Sequence, residues 1–406
     1  MRVFFPYAYF YPEQCAGIYV VDDVMEALAE NGIEAYLSVP TPTRNVAPDA
    51  QWARTEKRLN GKVTIHRFRM YGEGKNPILR AFRYLLCEIK QMHYMLWKNY
   101  DVAFIDSTPP IQGLKLPIVR LFRRNKRFIY NVHDLFPETL NGAGLAKQGG
   151  LLWKIGMWVS NVTFRNSDKI IAISNDIKRS MVARGVPAEK IEVVYNWVDE
   201  KAVQPVAKED NPLFEEFGLS REKFTVVYAG NLGNAQNIGI VLDAAYMLPD
   251  VHFAVFGTGG LEDDIRKRIA AEDLVNVHLN PLQPVARVSQ VYSLGDACIV
   301  SCKEGLGGSA MPSKSWSIMS CGRPVVANFD EGELKEILER NHCGVFSHAG
   351  NVQEFVDAIK TLQENPERCK EMGANARQFI LDNLTKEVGA KKYVEIIKSV
   401  IYEHEA

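Results

Sequence analysis

The chain predicts an α/β fold of two doubly wound parallel sheets in succession. Three observations carry this expectation. Short runs rich in Val, Ile and Tyr alternate with helical patterns, as in parallel βαβ units with helices on both faces. The alternation restarts after a polar, proline-containing stretch at 199–212. With 406 residues, the chain is too long for one ordinary core and suits two domains of about 200 each.

In chain order, VFFPYAYF (3–10) reads as a strand, VVDDVMEALAENG (20–32) as a helix ended by Gly32, and EAYLSVP (34–40) as the next strand. VAFIDS, RFIYNVHD, KIIAIS and IEVVYN follow as further strands of the first half. FTVVYAG, HFAVFGTG, NVHLN, ACIVSC and RPVVAN supply the second half. The boundaries expected are a first domain at 1–200, a second at 201–385, and a closing helical segment at 386–406 that packs back on the first domain. In such sheets ligands sit beyond the C-terminal strand ends, so a cleft between the two domains is the expected site.

Composition narrows the function. Balanced charge, 48 basic against 49 acidic residues, argues against nucleic acid as a partner. No run of 18 apolar residues is present to span a membrane, and MRVFFPYAYFYPEQ does not read as a secretory signal. Seven scattered cysteines suit a reduced, cytoplasmic protein. Cys298 and Cys302 lack the further ligands of a zinc site, so no metal is expected.

The most legible segment is CKEGLGGSAMPSKSWSIMSCGRPVVA (302–327). It reads as a Gly-rich loop, a short helix opened by Pro312 and closed by Gly322, then a Val-rich strand. It brings Glu304 and Lys314 to a helix start, where backbone N–H groups favour a phosphorylated ligand. A cation in that first turn opposes the helix dipole, a conflict that a bound anion would resolve. Gly17, after the first strand, suits either close backbone approach to a phosphate or a tight turn with positive φ. FGTGG (256–260), with Gly257, reads as a turn set bordering a nucleotide base; it is not a complete dinucleotide fingerprint.

These residues, with YFYPEQCAG (9–17), NVHDLFPE (131–138), AISNDIKRSM followed by GVPAEKIEVVYNWVD, VVYAGNLG (226–233), and EG…PSK…CGRPVVA, resemble the retaining glycosyltransferases of family 4 over nearly the whole chain. That family has the two-domain GT-B architecture, and the PSK and AGNLGNAQ forms are most similar to its surface-polysaccharide and aminosugar branch. The resemblance implies a nucleotide-sugar donor, UDP-linked, as substrate rather than any resident cofactor. It places His133 and Asp134 beside the reacting sugar and Glu304 against the donor. Gly230 and the positions of Asn231 and Gln236 fall where the donor diphosphate is clamped, and Pro312, Ser313, Lys314 and Ser317 line the donor side.

Three departures stand out. The Arg and Lys of the family's clamp are Asn231 and Gln236 here, its second glutamate is Ser317, and its NG before VD is Asn196-Trp197. Two lost cations would weaken phosphate binding, with roughly 1.5–3 kcal/mol for each charge-assisted bond, and would shift that work to Lys314. No carboxylate pair is suitably placed for a metal, since Asp22-Asp23 and Asp263-Asp264 fall in helical patterns. The acceptor implied is a lipid-linked saccharide at the inner face of the cell membrane. KLPIVRLFRRNKR (115–127), with Trp97, Trp153 and Trp158 nearby in basic helical patterns, suits either an anionic lipid surface or ordinary helices covering the sheet. A sugar-nucleotide epimerase of the same fold and a non-catalytic scaffold remain as alternatives.

Overall fold

The computed structural model describes residues 1–13, 17–43, 46, 49–72, 76–142, 146–307 and 311–402. The sequence segments containing Gln14, Cys15 and Ala16, and Gly308 to Ala310, therefore lie partly outside the described residues. The chain divides into two units, one formed by Met1–Tyr195 with Glu387–Ala406, the other by Asn196–Lys386.

The first unit holds an eight-stranded sheet. Its strands are β1 (Arg2–Pro6), β2 (Glu34–Pro40), β3 (Thr55–Arg58), β4 (Val63–Phe68), β5 (Val102–Asp106), β6 (Arg127–Val132), β7 (Lys169–Ala172) and β8 (Ile191–Val193). They lie in the order β3-β4-β2-β1-β5-β6-β7-β8. All pairs are parallel except β3 with β4, an antiparallel edge that the sequence pattern did not predict. β3 (TEKR) has no apolar residue, so its period carries no strand signal. β1 ends at Pro6, and Tyr7 to Phe10 continue as buried, non-strand chain leading to the helix Ile18–Glu30.

The C-terminal helix Lys386–Tyr402 lies against this first sheet from Glu387 onward. Tyr393, Ile397 and Val400 are buried, and the Tyr393 ring sits 5.7 Å from that of Phe104 on β5.

The second unit holds a six-stranded, wholly parallel sheet made of β9 (Thr225–Asn231), β10 (His252–Thr258), β11 (Val277–Asn280), β12 (Ala297–Ser301), β13 (Val325–Phe329) and β14 (Gly344–His348). Their order is β11-β10-β9-β12-β13-β14. Buried Val, Ile and Phe from β9, β10 and β12 pack with Ile240, Val241, Phe355 and Ile359 of flanking helices in one continuous core. The first joint falls at 195/196, not 200/201. Val198 bridges to Thr385 and its N–H donates to the Leu384 carbonyl, which ties residues just after Tyr195 into the second unit.

Candidate functional site

In the second unit the site begins where β9 runs out. Tyr228 is buried near the strand's end, and its hydroxyl donates to the Asn231 carbonyl at 2.7 Å. The helix Lys314–Ser320 approaches the same point. Lys314 Nζ donates to the Tyr228 hydroxyl at 3.2 Å and stands 4.3 Å from the ring centroid. It also crowds Gly230: a Cβ there would be 2.9 Å from the ammonium. No carboxylate among the described residues pairs with it. Desolvation lowers the Lys314 pKa to about 8.

The helix begins at Lys314, two residues later than its sequence suggests. Pro312 and Ser313 form a leading turn, with Ser315 N–H bonded to the Pro312 carbonyl, and Ser313 makes no side-chain cap. Its end is as expected: the N–H of Gly322 bonds to Met319, and that of Arg323 to Ile318. With seven residues, this helix contributes a short dipole, so the side chain of Lys314 is its main electrostatic feature. Ser317 is half-buried in the helix and bonds to no described side chain.

Asn231 and Gln236, which stand where the family's cations would be, bond to each other. Asn231 Nδ2 donates to Gln236 Oε1 at 3.2 Å, and the pair spans Gly233, where a Cβ would be 2.6 Å from Asn231 Nδ2. The Gln236 carbonyl is held by Ser301 Oγ at 2.6 Å. Gly257 corrects a sequence expectation, because it lies inside β10 and not in a turn. It pairs with Gly230 across the sheet, and a Cβ there would be 2.4 Å from the Gly230 carbonyl oxygen. Close strand packing requires a glycine at that position.

Glu304 lies in an exposed turn after β12 and bonds to no described side chain. Its loop is nevertheless fixed by a residue that sequence reading missed. Asp330, after β13, accepts from Gly305 N–H at 3.0 Å and from Gly307 N–H at 2.7 Å. The Lys303 N–H donates to the Ala235 carbonyl at 2.8 Å, joining this loop to the Asn231–Gln236 segment. The only sequence signal was an Asp at a strand's C-terminal end, in NFDEG.

In the first unit, Gly17 and His133 come together beyond β1 and β6. Gly17 has φ 84°, left-handed, and flanks the helix Ile18–Glu30. A Cβ on it would be 3.9 Å from His133 Cε1 and Nε2. The His133 side chain is 18% exposed, and its backbone N–H donates to Ser107 Oγ at 3.1 Å. Asn131 Nδ2 donates to His133 Nε2 at 2.8 Å. The Asp106 carboxylate lies 3.4 Å from the same nitrogen. Burial raises the Asp106 pKa, while His133 and the N–H groups of Ser107 and Thr108 oppose the shift. Asp134 is exposed and caps no helix. Asp106 and Asn131 were legible as strand residues of VAFIDS and RFIYNVHD, but nothing in the sequence marked them as a site.

The basic stretch 115–127 is largely occupied within the fold. Buried Lys115 Nζ donates to Glu88, Gln91 and Gln112. Arg120 pairs with Asp168, Arg127 lies 3.7 Å from Asp168, and Lys126 is buried beneath Tyr100. Apolar side chains face outward instead: Phe82, Leu85 and Ile89 on the helix Pro77–Trp97, Leu121 and Phe122 on Leu116–Phe122, and Leu151, Leu152, Ile155 and Trp158 on Leu151–Asn166 are exposed. Among the described residues, no helix is long and apolar enough to cross a membrane. Asp22 pairs with Arg58, and Asp263 and Asp264 sit in the first turn of the helix Glu262–Ala271.

Known proteins place this arrangement. WbjE, a probable glycosyltransferase of Pseudomonas aeruginosa, is 23% identical over 75% of this chain and 76% of its own length. WcaI of Escherichia coli K12, a putative colanic acid biosynthesis glycosyl transferase, is 26% identical over 80% of this chain and 78% of its own. Sucrose-phosphate synthase from Thermosynechococcus elongatus has the same fold, with a TM-score of 0.78 at 15% identity and 99% of both chains covered. Anabaena HepE in complex with UDP superposes with a TM-score of 0.73 at 16% identity, over 98% of this chain and 99% of its own. Residues 19–202 match the model for Glycosyltransferase Family 4, and residues 210–379 match that for Glycosyl transferases group 1. The chain is therefore a glycosyltransferase of the GT-B fold, carrying a family 4 domain followed by a group 1 domain.

Proposed function

We propose that this glycosyltransferase moves a sugar from a UDP-sugar onto a lipid-linked saccharide, with retention at the anomeric carbon, in the synthesis of a bacterial surface polysaccharide. The observation that carries the donor half is Lys314. Its desolvated ammonium, unpaired with any described carboxylate, stands over Gly230 at the end of β9. An isolated buried cation is costly, and a diphosphate placed there would offset that cost. This supports a diphosphate receptor that needs neither of the two family cations replaced by Asn231 and Gln236.

Lys314, with backbone N–H groups near Gly230 and Pro312–Ser313, stabilises charge developing on the leaving diphosphate, without a metal ion. Asp330 holds the Gly305–Gly307 turn so that Glu304 faces the donor. His133, next to Gly17, contacts the sugar, and Asp134 lies beside it. The acceptor hydroxyl then bonds to the anomeric carbon as the C–O bond to the diphosphate breaks, and its proton passes to the departing phosphate oxygen.

UDP and UDP-glucose are bound in the HepE structures, WcaI is named for colanic acid biosynthesis, and AmsK of Erwinia amylovora for amylovoran biosynthesis. These relatives support the donor and pathway classes proposed. The outward apolar faces of three neighbouring helices, with exposed Arg124, Lys154 and Arg165 beside them, support docking on an anionic lipid surface that carries the acceptor.

A panel of nucleotide sugars, scored first by thermal shift and then by transfer to lipid-linked acceptors in extracted membranes, tests the proposal. A UDP-sugar is expected to stabilise the protein and to label the lipid fraction in the presence of EDTA. Epimerised donor released without acceptor, or no shift with any nucleotide, would overturn it.

A further inference from the structure

The C-terminal helix reaches His133 through one buried intermediary. Tyr393 is fully buried, and its hydroxyl donates to Asn131 Oδ1 at 3.1 Å. Asn131 is also fully buried on β6, and its amide nitrogen faces His133 Nε2 at 2.8 Å. The order of donors is consequential. With Oδ1 engaged by a phenol O–H, Asn131 turns its NH₂ toward the imidazole. An N–H donor can only meet a ring nitrogen that carries no proton. Neutral His133 must then hold its proton on Nδ1, a nitrogen that bonds to no described residue. Asp106 Oδ1, buried and without a hydrogen-bond partner, lies 3.4 Å from Nε2. At that length its charge opposes a bare Nε2, and the shorter bond from Asn131 outweighs it.

We propose that Tyr393 and Asn131 are positioning residues that fix His133 as its Nδ1–H tautomer, leaving Nδ1–H free to donate to an oxygen of the bound sugar. The C-terminal helix is then part of the catalytic apparatus through Tyr393 as well as a packing element. The inference rests on the proposed role of His133 at the sugar for its kinetic consequence, but not for its tautomer. A ring held in one tautomer by two buried bonds presents its donor without reorganisation, which is how a buried support speeds transfer without touching substrate.

The test uses the full chain with ¹⁵N-labelled histidine, His133 being assigned by loss of its signals in His133→Gln. At a pH above imidazole titration, long-range ¹H–¹⁵N spectra should show a protonated Nδ1 and a bare Nε2. Tyr393→Phe should release the preference and lower kcat about tenfold, with KM for the nucleotide sugar unchanged. Asn131→Asp, which places acceptors against Nε2, should move the proton to Nε2. A wild-type His133 protonated at Nε2, or a tautomer indifferent to both substitutions, would overturn the inference. Absence of transfer with every donor would instead defeat the proposed function while the spectra still decide the tautomer.

Discussion

Lys314 Nζ and the Tyr228 ring form a cation–π contact at 4.3 Å, with the Tyr228 hydroxyl 3.2 Å from the same ammonium. The ring's face and one hydroxyl are modest compensation for a desolvated charge. The lysine pKa is therefore lowered to about 8, with burial as the cause.

That relationship has a stability consequence. An unfolded lysine titrates near 10.4, so between about pH 8 and 10.4 the unfolded chain binds more protons than the folded one, and stability rises with pH. Below pH 8 the penalty is fully present. Lys314→Met should therefore stabilise the ligand-free protein at pH 7 by about 1–3 kcal/mol and remove this part of the slope. Urea unfolding at pH 7 and pH 9.5 for both proteins checks it; a destabilised Met variant at pH 7 contradicts it.

Asp330 accepts two N–H bonds from the turn that follows Glu304. Asp330→Ala should free that turn, with about 1–3 kcal/mol lost from the two bonds. Most of the loss falls on local order, because the turn is exposed. Faster amide exchange at Gly305 and Gly307, with kcat reduced about tenfold and the melting temperature little changed, is expected. Unaltered exchange and turnover would remove Asp330 from the site.

Asp330 also shows what the sequence could and could not disclose. Most strands were readable, because apolar runs of the right length between turn residues mark buried parallel strands. Lys314 was singled out because a cation in a first helical turn is locally unfavourable. The partners that these residues meet were invisible, since they come together only through the fold. Asp330 lies 25 residues beyond Gly305, Tyr228 lies 86 before Lys314, and Tyr393 lies 262 beyond Asn131. Gly257 lies in a strand and not a turn for the same reason: the close neighbour that requires a glycine is the Gly230 carbonyl on a neighbouring strand. Likewise, Lys115 reads as part of a basic surface until Glu88 is brought against it.

His252 on β10 and His278 on β11 pack against each other with ring centroids 4.9 Å apart and planes tilted by 41°. His252 Nδ1 and His278 Nε2 are buried without hydrogen-bond partners. Burial is the first cause that lowers both pKa values; Lys223 adds to it at both, and the charge of His278 adds to it at His252. As pH falls below about 6.5, the unfolded histidines take up protons before the folded ones, so this pair withdraws stability on acidification. His278→Leu should flatten the fall in melting temperature between pH 7 and pH 5. An identical fall in both proteins would show that the pair does not matter.

The apolar faces of the helices Leu116–Phe122 and Leu151–Asn166 expose Leu121, Phe122, Leu151 and Trp158 at 65%, 69%, 75% and 59%. Replacing Phe122 and Trp158 together by Ser should leave folding intact, since neither is buried. It should also reduce co-sedimentation with vesicles of anionic phospholipid at least tenfold. Binding that is unchanged, or absent in the parent protein at low salt, would exclude this surface as a lipid contact.

Lys314 is proposed above as the main diphosphate receptor. Calorimetric titration of UDP into the parent protein and Lys314→Met at pH 7 tests it most directly. The parent should bind, and the Met variant should lose at least tenfold in affinity, about 1.4 kcal/mol or more, while remaining at least as stable without ligand. The parent's affinity should also weaken as pH rises above 8, where the free lysine gives up its proton. Equal UDP affinity in the two proteins at pH 7 would contradict the claim.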